Sequence, residues 1–135
     1  MSKWSHLPNA VHIDRVLASL NTRPDQWAAR RIAISDKVWN EVWNEAWEAD
    51  WRVVWEAAWE TGFEGRRDNV WYAARDVVSG VLLCLIAYDD CAHILDSDVG
   101  ELKILAALGD HRAILLLPAC IAFHTIKELE NANRH

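Results

Sequence analysis

Glycine and proline are scarce, five and three in 135 residues, which argues against a loop-rich or fibrous chain. The three cysteines (Cys84, Cys91, Cys120) are odd in number and sit in apolar contexts, so they read as reduced, buried thiols rather than a disulfide framework. No stretch alternates polar and apolar residues with period two, which removes the usual signal for a half-buried strand. The longest apolar runs, 81–88 and 113–123, are shorter than the roughly 20 residues a bilayer span needs. Residues 1–10 lack the apolar stretch of a signal peptide, so a cytoplasmic protein without membrane partners is expected. The charge balance, 14 bases against 20 acids, disfavours nonspecific binding to nucleic acid. Ten of those bases are Arg, the side chain suited to planar anions and paired sites.

Hydrophobic residues make up 52% and charged residues 25%, the composition of a chain that buries one core. Helical spacing of apolar positions predicts a single all-α domain over 1–135, a compact bundle of five to seven helices, two of them long. An N-terminal helix is expected over 6–21, with Asn9 as a candidate N-cap. A tryptophan-rich helix or helix pair is expected over 24–61, opened by Pro24 and offered a fresh N-cap at Ser35-Asp36. The Gly62–Gly65 turn follows, then a central helix over 66–95, apolar on all sides at 81–88. Short helices fill 98–131, where Pro118 either kinks one helix or starts another.

Tryptophan is the outlier: nine residues, against two Tyr and two Phe. Trp39, Trp43, Trp47, Trp51, Trp55 and Trp59 recur every fourth position. Each step turns a helix about 400°, so the six wind through about 200° over about 30 Å. A stripe at this spacing is chiefly core. Arc left over after the protein's own helices are packed predicts homo-oligomerisation through these residues. Acids gather on the other side. Residues 36–64 carry eight acids and two bases, an imbalance equal to the net charge of −6 for the whole chain. Asp50 is the exception, falling about 20° from Trp39 inside the apolar arc, where a buried carboxylate needs a partner.

Three places can carry chemistry. The turn before 66 supplies glycines, Arg66 and Arg67, and free main-chain N–H groups at a helix start, which suit an anion. Trp71 and Arg75 follow on one side of that helix, to stack on a planar ring and pair with a phosphate or carboxylate. Asp89, Asp90 and His93 follow the apolar run as candidate buried polar groups, with Asp89 and His93 spaced to pair on a helix. Cys84, Cys91, Cys120 and His124 can in principle make a zinc tetrad, but the spacing is not that of a known zinc module, and no metal is expected. No nucleophile motif, HExxH or Glu-x-x-His appears. A non-enzymatic protein without cofactor is expected.

The segment Ile86-Ala87-Tyr88-Asp89-Asp90-Cys91-Ala92 through Leu115-Leu116-Leu117-Pro118-Ala119 resembles the end of small phage and prophage proteins that carry a Trp- and Ala-rich helical repeat before it. The likeness covers roughly the last 40 residues and the style of the repeat. It implies a viral origin and assigns no catalytic residue. Small acidic phage proteins without enzyme motifs are often accessory factors against host defence, acting in the cytoplasm of the infected bacterium. Two mechanisms fit the residues: sequestration of a nucleotide-type immune signal in an aromatic and Arg-lined pocket, or an acidic surface presented to a host protein. A structural or assembly protein that oligomerises through the ladder is the plainer alternative.

Overall fold

A computed structural model describes residues 3–30, 36–47, 51–58 and 69–133. Among these it is all-α, with seven α-helices, one 3-10 helix and no strand.

Helix α1 (Ala10–Thr22) buries Ile13, Val16, Leu17 and Leu20, one face at i, i+3, i+4, i+7 spacing. It begins at 10 rather than 6, and Val11 lies outside the stripe, 76% exposed. Asn9 does precede the first helical residue, but its side chain makes no capping bond. Its amide instead donates to Leu85 O at 2.5 Å and Tyr88 O at 3.2 Å. Pro24 opens α2 (Pro24–Ala29), which carries Trp27, the bulkiest fully buried side chain among the described residues.

Helices α3 (Asp36–Trp47) and α4 (Trp51–Ala58) hold the described part of the tryptophan ladder. The positions sealed in the core are Val38, Val42, Ala46 and Val54. Trp39, Trp43 and Trp55 pack half-buried against that core, flanking its centre. Trp59 and the side chains of Trp47 and Trp51 lie outside the described residues.

Helix α5 (Asn69–Ala87) is the hub, packed by α1, α2, α3, α4 and α7. Every side from Val77 to Ile86 is buried, and the one hydroxyl there, Ser79 Oγ, donates to Arg75 O at 2.7 Å. By length and composition α5 passes as a membrane span, but 67% of its apolar window is enclosed by the other helices. It ends at Ala87 rather than 95. Its last carbonyls are satisfied from two sides: Asn9 serves Leu85 O, while Tyr88 N and Cys91 Sγ both donate to Cys84 O.

A 3-10 helix (Ala92–Asp96) leads to α6 (Val99–Ala107). Asp98 caps α6 by accepting from Gly100 N at 2.7 Å. Gly109, at φ +90°, ends it with paired bonds from Gly109 N to Ala106 O and from Asp110 N to Leu105 O, a Schellman closure. Only Leu102 of α6 is buried, and Ile104 and Leu108 stand 63% and 78% exposed.

Asp110 then caps α7 (His111–Asn133), accepting from Arg112 N and Ala113 N. The 98–131 region therefore holds one short and one long helix. Pro118 lies inside α7 and does not divide it. Its neighbours Leu115 to Cys120 are all buried, so tertiary packing holds the helix through the missing N–H.

Candidate functional site

The sequence-level candidates are scattered. Arg66, Arg67 and Asp50 lie outside the described residues. Trp71 is a core side chain, 5% exposed, and offers no open face for stacking. Arg75 is half-buried, with its guanidinium carbon 5.1 Å from the centre of the Tyr72 ring, so the exposed aromatic beside it is Tyr72.

The expectation that Asp89, Asp90 and His93 are buried is corrected: all three are exposed. Because α5 stops at Ala87, the i, i+4 geometry assumed for Asp89 and His93 does not exist there. The turn after Tyr88 points the carboxylates outward, and Asp90 accepts from Arg112 Nη1 at 2.9 Å. Among the described residues no group of three His, Cys, Asp or Glu side chains is placed to hold a metal ion. Cys120 Sγ donates to Ile94 O, and His124 Nε2 lies 3.1 Å from Ser97 O. A carbonyl only accepts, so that nitrogen carries the proton.

The acids of the ladder helices are partly engaged within the fold. Glu41 meets His111 Nε2 at 3.2 Å. Burial, then a hydrogen bond to Glu45, pushes the Tyr88 hydroxyl up to about 12.

Among the described residues, a feature that can hold a ligand lies elsewhere, between α1 and α7. Arg15, Ala18, Ser19 and Thr22 repeat at i, i+3, i+4, i+7 on α1, and Arg23 follows at its end. Phe123, Ile126, Lys127 and Glu130 repeat at the same spacing on α7. The two stripes flank a cleft of about 660 Å³, closed at one end by Leu95 and Asp96 of the 3-10 helix. That volume is within the range of small-molecule sites.

Two contacts register the walls. The Arg15 guanidinium carbon stands 4.6 Å from the centre of the Phe123 ring. Arg23 Nη2 meets Glu130 Oε1 at 3.2 Å. Arg15 to Arg23 on one wall thus matches Phe123 to Glu130 on the other, so α1 and α7 run in the same direction.

Trp27 braces both walls from the core. Its indole N–H donates to Ser19 Oγ at 3.0 Å, and Phe123 meets it edge-on at 5.6 Å and 85°. Arg30, at the end of α2, adds Nε–H to Thr125 Oγ1 at 3.3 Å.

No protein-family model, curated protein or solved structure matches this chain. The reading of the cleft therefore rests on its own chemistry. Arg15, Arg23 and Lys127 face two carboxylates, Asp96 and Glu130, so the lining is positive by one charge on a protein of net charge −6.

The carboxylates are held loosely. Arg15 bonds Asp96 at 3.0 Å with side-chain exposures of 41% and 63%, and the Arg23–Glu130 pair is 32% and 52% exposed. Exposed pairs of this kind contribute about 0–1 kcal/mol, so an anionic ligand can displace them.

Behind Arg15 sits His12. Its Nδ1 is buried without a partner among the described residues. Burial, then the Arg15 charge, lowers its pKa, against the opposing pull of Asp96.

Sequence reasoning missed this cleft. Its signal was present as two polar stripes at helical spacing, but their meeting is tertiary.

Proposed function

We propose that this protein is a non-enzymatic binder that sequesters a nucleotide-type anion in the α1–α7 cleft. The observation that carries the reading is the Arg15 guanidinium stacked on Phe123 in a groove lined by one more positive than negative charge. A planar ring adds to such a stack by cation–π and dispersion contact, and Arg and Lys take its phosphates. The site moves from the Trp71 and Arg75 region to the cleft because Trp71 is buried in the core.

The resemblance of residues 86–119 to small phage and prophage proteins supports a purpose for such binding. A phage accessory protein that removes a nucleotide signal from the infected cell's cytoplasm blunts the defence that depends on it. In the competing reading an acidic surface is offered to a host protein, and Glu41 and Glu45, partly exposed with His111 and Tyr88 as partners, would have to exchange those contacts for the host's.

A thermal-shift panel of linear and cyclic nucleotides tests the reading. A ligand at a hundred times its Kd adds about 2.7 kcal/mol to native stability, which raises the melting temperature of a chain this size by about 10 °C. Arg15→Gln should abolish that rise while leaving the unliganded melt in place. A panel without any shift, or a shift unaffected by Arg15→Gln, contradicts the proposal.

A further inference from the structure

The proposed ligand site has two separate cationic ends. Arg15 and Arg23 are eight residues apart along α1, about 12 Å of helical rise. Phe123 and Glu130 are seven residues apart along α7, about 10 Å. Because Arg15 lies over Phe123 and Arg23 bonds Glu130, both walls span the same length of groove.

Each end already contains a carboxylate of the protein itself: Asp96 on Arg15 and Glu130 on Arg23. Lys127, one turn before Glu130, adds a second cation near the Arg23 end. Between the ends the lining is mixed, with Ala18 and Ile126 beside the hydroxyls of Ser19 and Thr22.

We infer that the cleft selects an elongated ligand with an anionic group at each end and a flat middle, over one whose charge is gathered at a single end. This rests on the proposal that the cleft binds an organic anion. The protein's own carboxylates set the selectivity. A two-ended anion replaces both Asp96 and Glu130 and keeps each arginine paired. A one-ended anion replaces one carboxylate and gains nothing at the other end. The Arg23 and Lys127 end, with two cations against one carboxylate, takes the more highly charged group. In nucleotide terms, phosphates on both sides of a base fit this lining, and a mononucleotide does not use it fully.

The test is calorimetric titration of the full chain at low salt with matched probes: the rigid biphenyl-4,4′-dicarboxylate against biphenyl-4-carboxylate, then a 5′-phosphorylated linear diadenylate against AMP. The two-ended member of each pair should bind at least tenfold more tightly. Arg23→Gln should bring the dicarboxylate down to the level of the monocarboxylate and leave the monocarboxylate within twofold. Glu130→Gln, which removes the internal competitor, should tighten the dicarboxylate several-fold.

Equal binding within each pair, or an unchanged ratio in Arg23→Gln, overturns the inference and leaves the cleft as a simple anion site. If no probe of either kind binds, the inference and the proposed function both fail. Melting curves of both variants, whose changes fall on partly exposed side chains, verify that the fold is retained.

Discussion

The side-chain amide of Asn9 donates to the main-chain carbonyl of Leu85, 76 residues further along the chain. One residue thereby fastens the entry of α1 to the end of the central helix, where carbonyls have no helical partner. Asn9 is only 2% exposed, so water cannot take its place.

Asn9→Ala strands the carbonyl of Leu85 and should lower stability by about 1–3 kcal/mol. Asn9→Asp should be worse near neutral pH, because a carboxylate cannot donate and would face two carbonyl oxygens. Urea denaturation followed by far-ultraviolet circular dichroism measures both. An unchanged midpoint for Asn9→Ala would show that the bond is replaceable.

Much of the bundle is legible in the residues. Helical spacing groups Val11, Val16, Leu17 and Leu20, of which the last three are buried while Ile13 takes the place of the exposed Val11, and the all-round apolar run at 81–88 marks the buried helix. Gly109 and the acids beside it announce the stops and starts around α6 and α7. The end of α5 has no such signal. No Gly or Pro lies between Tyr88 and Asp96, and the helix stops because Asn9 and Cys91, distant and local respectively, take its carbonyls.

The ladder misdirects differently. Fourfold spacing gives Trp39 and Trp43 the same periodic signal as Val38 and Val42, and size suggests that the indoles fill the centre. The valines fill it instead, and the indoles flank them. The cleft is the hardest feature to read. Arg15, Arg23 and Lys127 look like solvated residues until α7 is laid beside α1, and no local pattern dictates that pairing.

Two groups make stability fall with acid, in separate windows. The pKa of His12 is lowered from 6.5, by burial first and then by Arg15. The unfolded chain therefore takes up this proton before the folded one does. The stability is complete above 6.5 and declines as pH falls below it.

Asp110 acts lower down. Burial raises its carboxyl, but the Arg112 hydrogen bond and the main-chain N–H groups of α7 outweigh that, and the net shift is downward from 3.8. Its contribution is present above 3.8 and is lost as pH falls below that value. His12→Gln should flatten the decline that begins below 6.5, and Asp110→Asn should flatten the later one. Urea midpoints measured from pH 8 to pH 3 resolve the two. A His12→Gln profile parallel to the native one would remove His12 from the account.

The three thiols should be silent in the native protein. Cys84, Cys91 and Cys120 are buried, and burial pushes Cys120 up to about 12 and Cys84 well above the ordinary thiol value. Thiolate is the reactive form, so an aromatic disulfide reagent at pH 8 should label none of them in the folded chain and all three in denaturant. Prompt labelling of one thiol without denaturant would reveal an opening beside α5 or α7.

The claim on which the functional account stands is that an aromatic anion enters between α1 and α7. Nitrogen-15 and carbon-13 correlated spectra of the full chain, titrated with the nucleotide that gives the largest thermal shift, test it residue by residue. The predicted result is saturable movement of the Arg15 and Arg23 guanidinium signals and the Phe123 ring signals, with Arg75 and Tyr72 unmoved. Shifts confined to Tyr72 and Arg75, or a spectrum unchanged by every nucleotide, would contradict it.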